Sequence, residues 1–267
     1  MAAAAAQKLS RRKALYLAIA LAAALEAVLA VVLMPLERPP SVSSAFPAGA
    51  IVVGVDASYP PFALDDGDSI RGLDIDLTRA IAAELDLPVR FLNIGFYALH
   101  DALISGQVDI LVSALRIDPA RMDDLRYTQS YFDNGLVLVR AADDPLSDVN
   151  TLTNGRIAYE YASSAEGQVR VWEEDGQSIA RLPYELPQYA LDALRLGLAD
   201  AAIVDATTAR LYLSAQHEWQ ARYERLTHEP YAIALRIDRA DAWQLVDAAL
   251  ETLIESGELA RIIDKWL

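Results

Sequence analysis

Residues 101–109 read DALISGQVD, and residues 192–200 read DALRLGLAD. Aspartate, alanine, leucine, glycine and aspartate recur at fixed spacing, and each copy lies between a helical pattern and an apolar run. Each reads as a helix–glycine–strand unit. Gly106 or Gly197 stops the helix in a left-handed conformation, and the run after Asp109 or Asp200 enters a buried parallel strand. Two such units predict two similar α/β lobes. The strands end in ILVSA and AIVDA, and open α/β sheets bind ligands beyond the carboxyl ends of their strands. Ser113, Ala114 and Asp205 are thereby assigned to one candidate cleft.

The chain has 267 residues, 54% hydrophobic and 23% charged, enough for one large or two modest cores. It contains no cysteine. Disulfides, thiolate catalysis, cysteine-ligated metals and an acylated amino-terminal cysteine are therefore excluded. The net charge is −15, although Lys8, Arg11, Arg12 and Lys13 give residues 1–13 a basic cluster without any acid. The acidic remainder argues against a nucleic-acid partner.

Residues 14–36 are apolar except for Glu26 and follow that cluster directly. The run exceeds a usual secretory core and approaches the roughly 20 residues that span a bilayer, so an uncleaved transmembrane anchor is expected over a cleaved signal peptide. Ala48-Gly49-Ala50 offers only a weak cleavage pattern. Positive charge before the span sends residue 37 onward across the membrane. Residues 37–50, rich in proline and serine, read as a short linker.

From Ile51 the pattern is strand, turn, helix, strand. IVVGVD is a buried strand ending at Asp56, and Pro60 and Pro61 end regular structure after Tyr59. Asp74 is a candidate helix cap before the stripe Leu77, Ile81 and Leu85. Phe96 follows the next strand into the first repeat unit. GLVLVRA and YAIALR read as two strands flanking the second repeat, as two crossing strands between lobes would. No phosphate-binding loop, nucleotide fingerprint, nucleophile elbow or metal-spaced histidine pair occurs, so no cofactor, metal or catalytic residue is expected.

VGVDASYPPF, RGLDIDL, FYALHDAL, VDILVSALRIDPAR, YTQSYFDNG, ADAAIVD, YAIAL and ESGELARIIDKW occur in that order. With them, residues 51–267 resemble the amino-acid-binding family of periplasmic solute-binding proteins, bacterial solute-binding family 3. The resemblance implies a two-lobed type II periplasmic-binding-protein-like fold with two hinge strands. Lobe 1 would comprise residues 51–137 and 231–267, and lobe 2 residues 141–228, with ligand enclosed by a hinge motion.

By the same resemblance Arg121 holds a ligand α-carboxylate and Asp205 its α-ammonium. A guanidinium fork suits a carboxylate and a carboxylate suits an ammonium. The alternatives are a surface ion pair for Arg121 and a helix cap for Asp205. Tyr59 and Phe96 match the aromatic walls of the ligand site, and Asp56 a position that meets the distal end of a polar side chain. Ser164 occupies a usual hydroxyl position, while Ser163 and Glu166 read as a capping box. Ser113 fits a pattern of small polar residues; Ala114 and Arg116 depart from it. Arg116 has three readings: it turns outward or onto a surface acid such as Asp123 or Asp124, meets a ligand's distal carboxylate, or pairs with Asp56.

The resulting expectation is an extracytoplasmic, membrane-tethered binding protein, not an enzyme, that captures a polar amino acid for an ABC importer with permease and ATPase subunits. Two alternatives stand beside it: a tethered sensory or accessory subunit with a degenerate site, and a family-like lyase such as a cyclohexadienyl dehydratase.

Overall fold

The computed structural model describes residues 39–143 and 154–267. The basic segment and the apolar run 14–36 lie outside the described residues. Among those described, no helix is long and apolar enough to cross a membrane.

Two five-stranded sheets share one pattern. In the first, β1 (Ile51–Val55) lies between β5 (Val89–Asn93) and β6 (Ile110–Leu111), all parallel, and β13 (Pro230–Arg236) and β7 (Leu125–Asp133) complete the order β5-β1-β6-β13-β7. In the second, β9 (Arg156–Glu160) lies between β10 (Ala180–Tyr184) and β11 (Ala201–Asp205), in the order β10-β9-β11-β8-β12, with β8 (Leu136–Ala141) and β12 (Ala221–Arg225) at the far side. Each lobe thus carries three parallel strands and then an antiparallel strand that enters from the other lobe: β13 against β6, and β8 against β11. The small strands β2 (Ser58–Tyr59), β3 (Ala63–Asp65) and β4 (Ile70–Arg71) form a separate sheet on lobe 1.

The sequence repeat occupies equivalent places in the two sheets. Gly106 and Gly197 have φ of 76° and 73°. Each closes its helix in the same way: Gln107 N–H donates to Ala102 O at 2.9 Å, and Leu198 N–H to Ala193 O at 2.8 Å. The repeated aspartates then lock the strands. Asp109 Oδ2 accepts from Val52 N–H at the start of β1, and Asp200 Oδ2 from Arg156 N–H at the start of β9, at 2.9 and 2.8 Å. The repeat marks the helix stop and strand register of the third strand in both lobes.

Helices cover both faces of each sheet. Lobe 1 packs Leu73–Glu84, Ala240–Glu255 and Glu258–Trp266 on one face and Phe96–Ile104 on the other. In lobe 2, Pro187–Arg195 and Ala206–Ala215 lie on one apolar face, and Ser164–Glu174, with buried Val169 and Trp172, on the other.

The lobes join at two crossings, residues 134–135 and 226–229. Since β8 pairs within the second sheet from Leu136, lobe 2 begins before the expected 137–141 boundary. Glycine is needed here. A Cβ on Gly135 would lie 1.9 Å from Thr227 O, so only glycine lets the crossings touch. Asp133 binds them together, accepting from Gly135 N–H at 3.0 Å, Glu229 N–H at 2.8 Å and Arg225 at 3.0 Å, with His228 Nδ1 at 2.6 Å. Burial opposes its charge, but these donors hold its carboxyl below the usual range.

Two local expectations are corrected. Asp74 does not cap its helix. The helix starts at Leu73, and its first N–H groups donate to Pro61 O and Phe62 O, which leaves the Asp74 side chain wholly buried. Residues 41–50 are not a free linker. Ser41 caps a short helix, Val42–Ala45; Ala45 and Phe46 enter the lobe 1 core; Arg239 donates to Ala45 O. An aromatic ring within reach of an apolar face outweighs the proline- and serine-rich composition around it.

Candidate ligand cleft

Residues at or just beyond the carboxyl ends of β1, β6, β9 and β11, namely Asp56, Ser113, Glu160 and Asp205, line cavities beside the two crossings. On the lobe 1 side a cavity of about 300 Å³ is bounded by Asp56, Ser58, Tyr59, Phe96, Ser113, Ala114, Arg116 and Tyr231. On the lobe 2 side a cavity of about 230 Å³ is lined by residues that include Tyr59, Asn134, Glu160, Ser163, Ser164, Asp205, Glu229 and Tyr231. Tyr59 and Tyr231 belong to both. Arg121 lines a larger depression of about 510 Å³ that shares Phe96, Ala114 and Arg116 with the first cavity. The candidate residues therefore form one chain of cavities, with Arg121 and Asp205 toward opposite ends.

Asp56 works on its own chain. Its Oδ1 accepts from Ser58 N–H at 3.1 Å and Ser58 Oγ at 2.6 Å, while Oδ2 accepts from Phe96 N–H at 2.9 Å. The helix Phe96–Ile104 starts after Gly95, which has no capping side chain, so Asp56 supplies the cap from another strand. Ser113 Oγ accepts from Asp56 N–H at 3.0 Å and fixes the position of that strand end.

Ala114 has φ of 46°, a left-handed conformation that a Cβ disfavours. Its N–H donates to Asp74 Oδ2 at 2.7 Å, and Tyr131 Oη donates to Asp74 Oδ1 at 2.8 Å. Burial pushes the Asp74 carboxyl up to about 7 against both donors, and burial raises Tyr131 well above its ordinary value. A buried titratable group thus braces the cleft loop from behind.

Tyr59 and Phe96 are about half exposed, at 47% and 52%. Tyr59 stacks on Phe62 with ring centroids 5.5 Å apart. Burial raises both Tyr59 and Tyr231 above the ordinary tyrosine value. Asn134 lies between the lobes: its Nδ2 donates to Tyr231 Oη at 3.0 Å, and its Oδ1 accepts from Thr207 N–H at 2.9 Å and Thr207 Oγ1 at 2.6 Å.

Asp205 caps the helix Ala206–Ala215, accepting from Thr208 N–H at 2.9 Å and Thr208 Oγ1 at 2.6 Å, and it also lines the cleft. Each oxygen keeps a lone pair, so the cap does not preclude an ammonium. Arg121 ends a short 3₁₀ turn and lies 3.4 Å from Asp118. Ser163 caps the helix Ser164–Glu174 through Ala165 N–H, and Glu166 accepts from Ala162 N–H, one residue earlier than in a regular capping box. Ser164, at the first helical position, faces the lobe 2 cavity.

Arg116 follows the first of its three expected readings, turned outward and onto an acid, but the acid is not one of the expected pair. Its backbone bridges to Tyr231, and its guanidinium lies 3.6 Å from Glu229, an acid at the second crossing rather than Asp56 or the Asp123-Asp124 pair. Sequence reasoning missed Glu160, Glu229, Asn134 and Tyr231. The strand-end rule that found Asp205 also applies to Glu160, the last residue of β9. Glu229, Asn134 and Tyr231 carry no local signal, since they reach the cleft only because two distant crossings meet.

A family model described as bacterial extracellular solute-binding proteins, family 3, matches residues 51–267. The ABC transporter arginine-binding protein 1 of Escherichia coli (strain K12) is 25% identical, covering 82% of this chain and 91% of its own. The ABC transporter glutamine-binding protein GlnH of Bacillus subtilis (strain 168) is 24% identical, with 81% of each chain covered. Among solved structures, the L-cystine solute receptor of Neisseria gonorrhoeae, in an unliganded open conformation, superposes with a TM-score of 0.74 at 19% identity. That superposition covers 84% of this chain and 95% of the receptor, and it shows the shared fold.

Proposed function

Because the chain belongs to the bacterial extracellular solute-binding proteins of family 3, we propose that it captures a polar α-amino acid between its lobes and delivers it to an ABC importer. The observation that carries this reading is the placement of Arg121 and Asp205 at opposite ends of one run of cavities, on opposite lobes, with exposed aromatic walls between them. In this reading the lobes close about the crossings at 134–135 and 226–229. Closure brings the Arg121 guanidinium to the ligand α-carboxylate and the Asp205 carboxylate to its α-ammonium, and the expelled water strengthens both contacts.

Tyr59 and Phe96 cover the ligand's side chain, Ser164 and the helix start behind it supply polar contacts, and Ser113 and Asp56 hold the lobe 1 wall in shape. The domain acts outside the cytoplasm, held at the membrane through residues 14–36. The named relatives that serve ABC transporters bind arginine or glutamine, which supports an amino-acid ligand and an importer partner. A thermal-shift screen of the full chain in detergent against the twenty amino acids tests the reading. A ligand at about 100 times its dissociation constant adds roughly 2.7 kcal/mol of stability and raises Tm. No shift with any amino acid would refute it.

A further inference from the structure

The lobe 2 cavity has an unbalanced wall. Among the described residues, three acidic residues line it, Glu160, Asp205 and Glu229, and no lysine, arginine or histidine does. Two of the three are engaged. Asp205 holds Thr208, and Glu229 lies 3.6 Å from Arg116 and accepts from Tyr231 Oη at 3.4 Å. Among the described residues, the Glu160 carboxylate has neither a hydrogen-bond nor an ion-pair partner. Its backbone is nonetheless fixed as the last residue of β9, with its carbonyl accepting from Ser163 Oγ at 2.6 Å. Glu160 therefore stands at a rigid strand end and is one of the residues of the cavity wall.

We infer that Glu160 is a specificity-determining residue that selects ligands bearing a second cationic group besides the α-ammonium. The inference rests on the amino-acid reading above and extends it to a ligand class. In that reading Arg121 and Asp205 answer the two charges of the zwitterion, and Arg116 answers Glu229. Among the described residues, Glu160 is then the one carboxylate on this wall left without a counter-charge. Closure over a neutral side chain would strip water from it with nothing in return, a cost that a carboxylate removed from solvent always carries. Closure over an ammonium or guanidinium supplies the missing partner, and the attraction grows as the cleft dries. A distal carboxylate would meet repulsion at the same place. The favoured ligand class is thus the basic amino acids, and neutral and acidic side chains are disfavoured by the same group.

The test is calorimetric titration of the intact protein with L-lysine, with Nε-acetyl-L-lysine as its neutral counterpart, and with L-glutamine and L-glutamate, repeated on Glu160→Gln. The native protein is expected to bind lysine at least tenfold more tightly than its acetylated form, glutamine or glutamate. Glu160→Gln should lose at least tenfold in lysine affinity, while glutamine affinity rises, because its closure no longer desolvates an unpaired carboxylate, and so reports an intact cleft. The inference is overturned if the native protein binds glutamine or glutamate as tightly as lysine, or if the variant keeps its lysine preference. Binding of no amino acid at all would instead overturn the amino-acid reading on which it rests.

Discussion

The guanidinium of Arg116 lies 3.6 Å from the carboxylate of Glu229, joining the loop that leaves β6 to the second crossing between the lobes. Arg116 is 70% exposed and Glu229 36%. Such a pair guides geometry more than it stabilises the fold, since exposed ion pairs contribute at most about 1 kcal/mol. A double-mutant cycle of Arg116→Ala and Glu229→Ala in urea unfolding should give a coupling energy below about 1 kcal/mol. A coupling near 3 kcal/mol would mean the pair is buried in solution.

Asp205 caps its helix and, in the proposed function, also holds the ligand ammonium, and its substitutions separate the two. Asp205→Ala removes the cap from Ala206–Ala215 and should lower stability by about 1 kcal/mol as well as weaken ligand binding. Asp205→Asn keeps an acceptor for Thr208 but loses the charge, so stability should hold while amino-acid affinity falls. Urea unfolding and calorimetry on both variants check this. Equal stability losses in the two variants would show that the cap depends on charge.

The buried Asp74 makes stability depend on pH. Its carboxyl titrates at about 7 in the folded protein, because burial penalises the charge, against about 3.9 in an unfolded chain. Between these values the folded state holds a proton that the unfolded state lacks. Stability is thus greatest below about pH 4 for this group and is lost as pH rises through 7, by up to about 1.4 kcal/mol per pH unit. Tm measured from pH 5 to 8 should fall more steeply in the native protein than in Asp74→Asn. Parallel curves would mean that Asp74 titrates normally.

Phe46 tests whether the segment before lobe 1 is part of its core. The residue is 2% exposed and belongs to the same apolar cluster as Val246 and Leu250. Phe46→Ala should cost about 3 to 5 kcal/mol by denaturant unfolding. A loss under about 1 kcal/mol would return residues 41–50 to the status of a linker. By the same packing, cleavage at Ala48-Gly49-Ala50 would remove Phe46 from the core.

The two-lobed fold was legible because the repeat encodes a mechanical unit: a left-handed glycine to end a helix, and an aspartate to fasten the adjoining strand. That Asp205 and Ser113 stand at or just beyond strand ends and line a cavity was legible through the strand-end rule, while the ligand roles of Arg121, Tyr59 and Phe96 rest on the ordered motifs and belong to the proposal. The roles of Asp56, Asp74 and Glu229 were not, since each depends on a partner 40 residues or more away along the chain: Phe96 for Asp56, Ala114 for Asp74 and Arg116 for Glu229. Sequence spacing carries little information about such pairs. The docking of Phe46 was hidden for a related reason. Composition describes the solubility of a segment and leaves open the apolar surface, here the helix Ala240–Glu255, that lies within its reach.

The most direct measurement is calorimetric titration of the native protein and of Arg121→Ala with the amino acid that gives the largest thermal shift. Arg121 is 47% exposed beside Asp118 and lies outside the core, so the variant should fold as the native protein does. One amino acid is expected to bind per native chain, and the variant should bind it about 2 to 5 kcal/mol more weakly, the usual consequence of removing one partner from a charge pair that is buried on binding. Equal affinity in the two proteins would contradict the assignment of Arg121 to the ligand carboxylate and, with it, the cleft as the place where the amino acid is held.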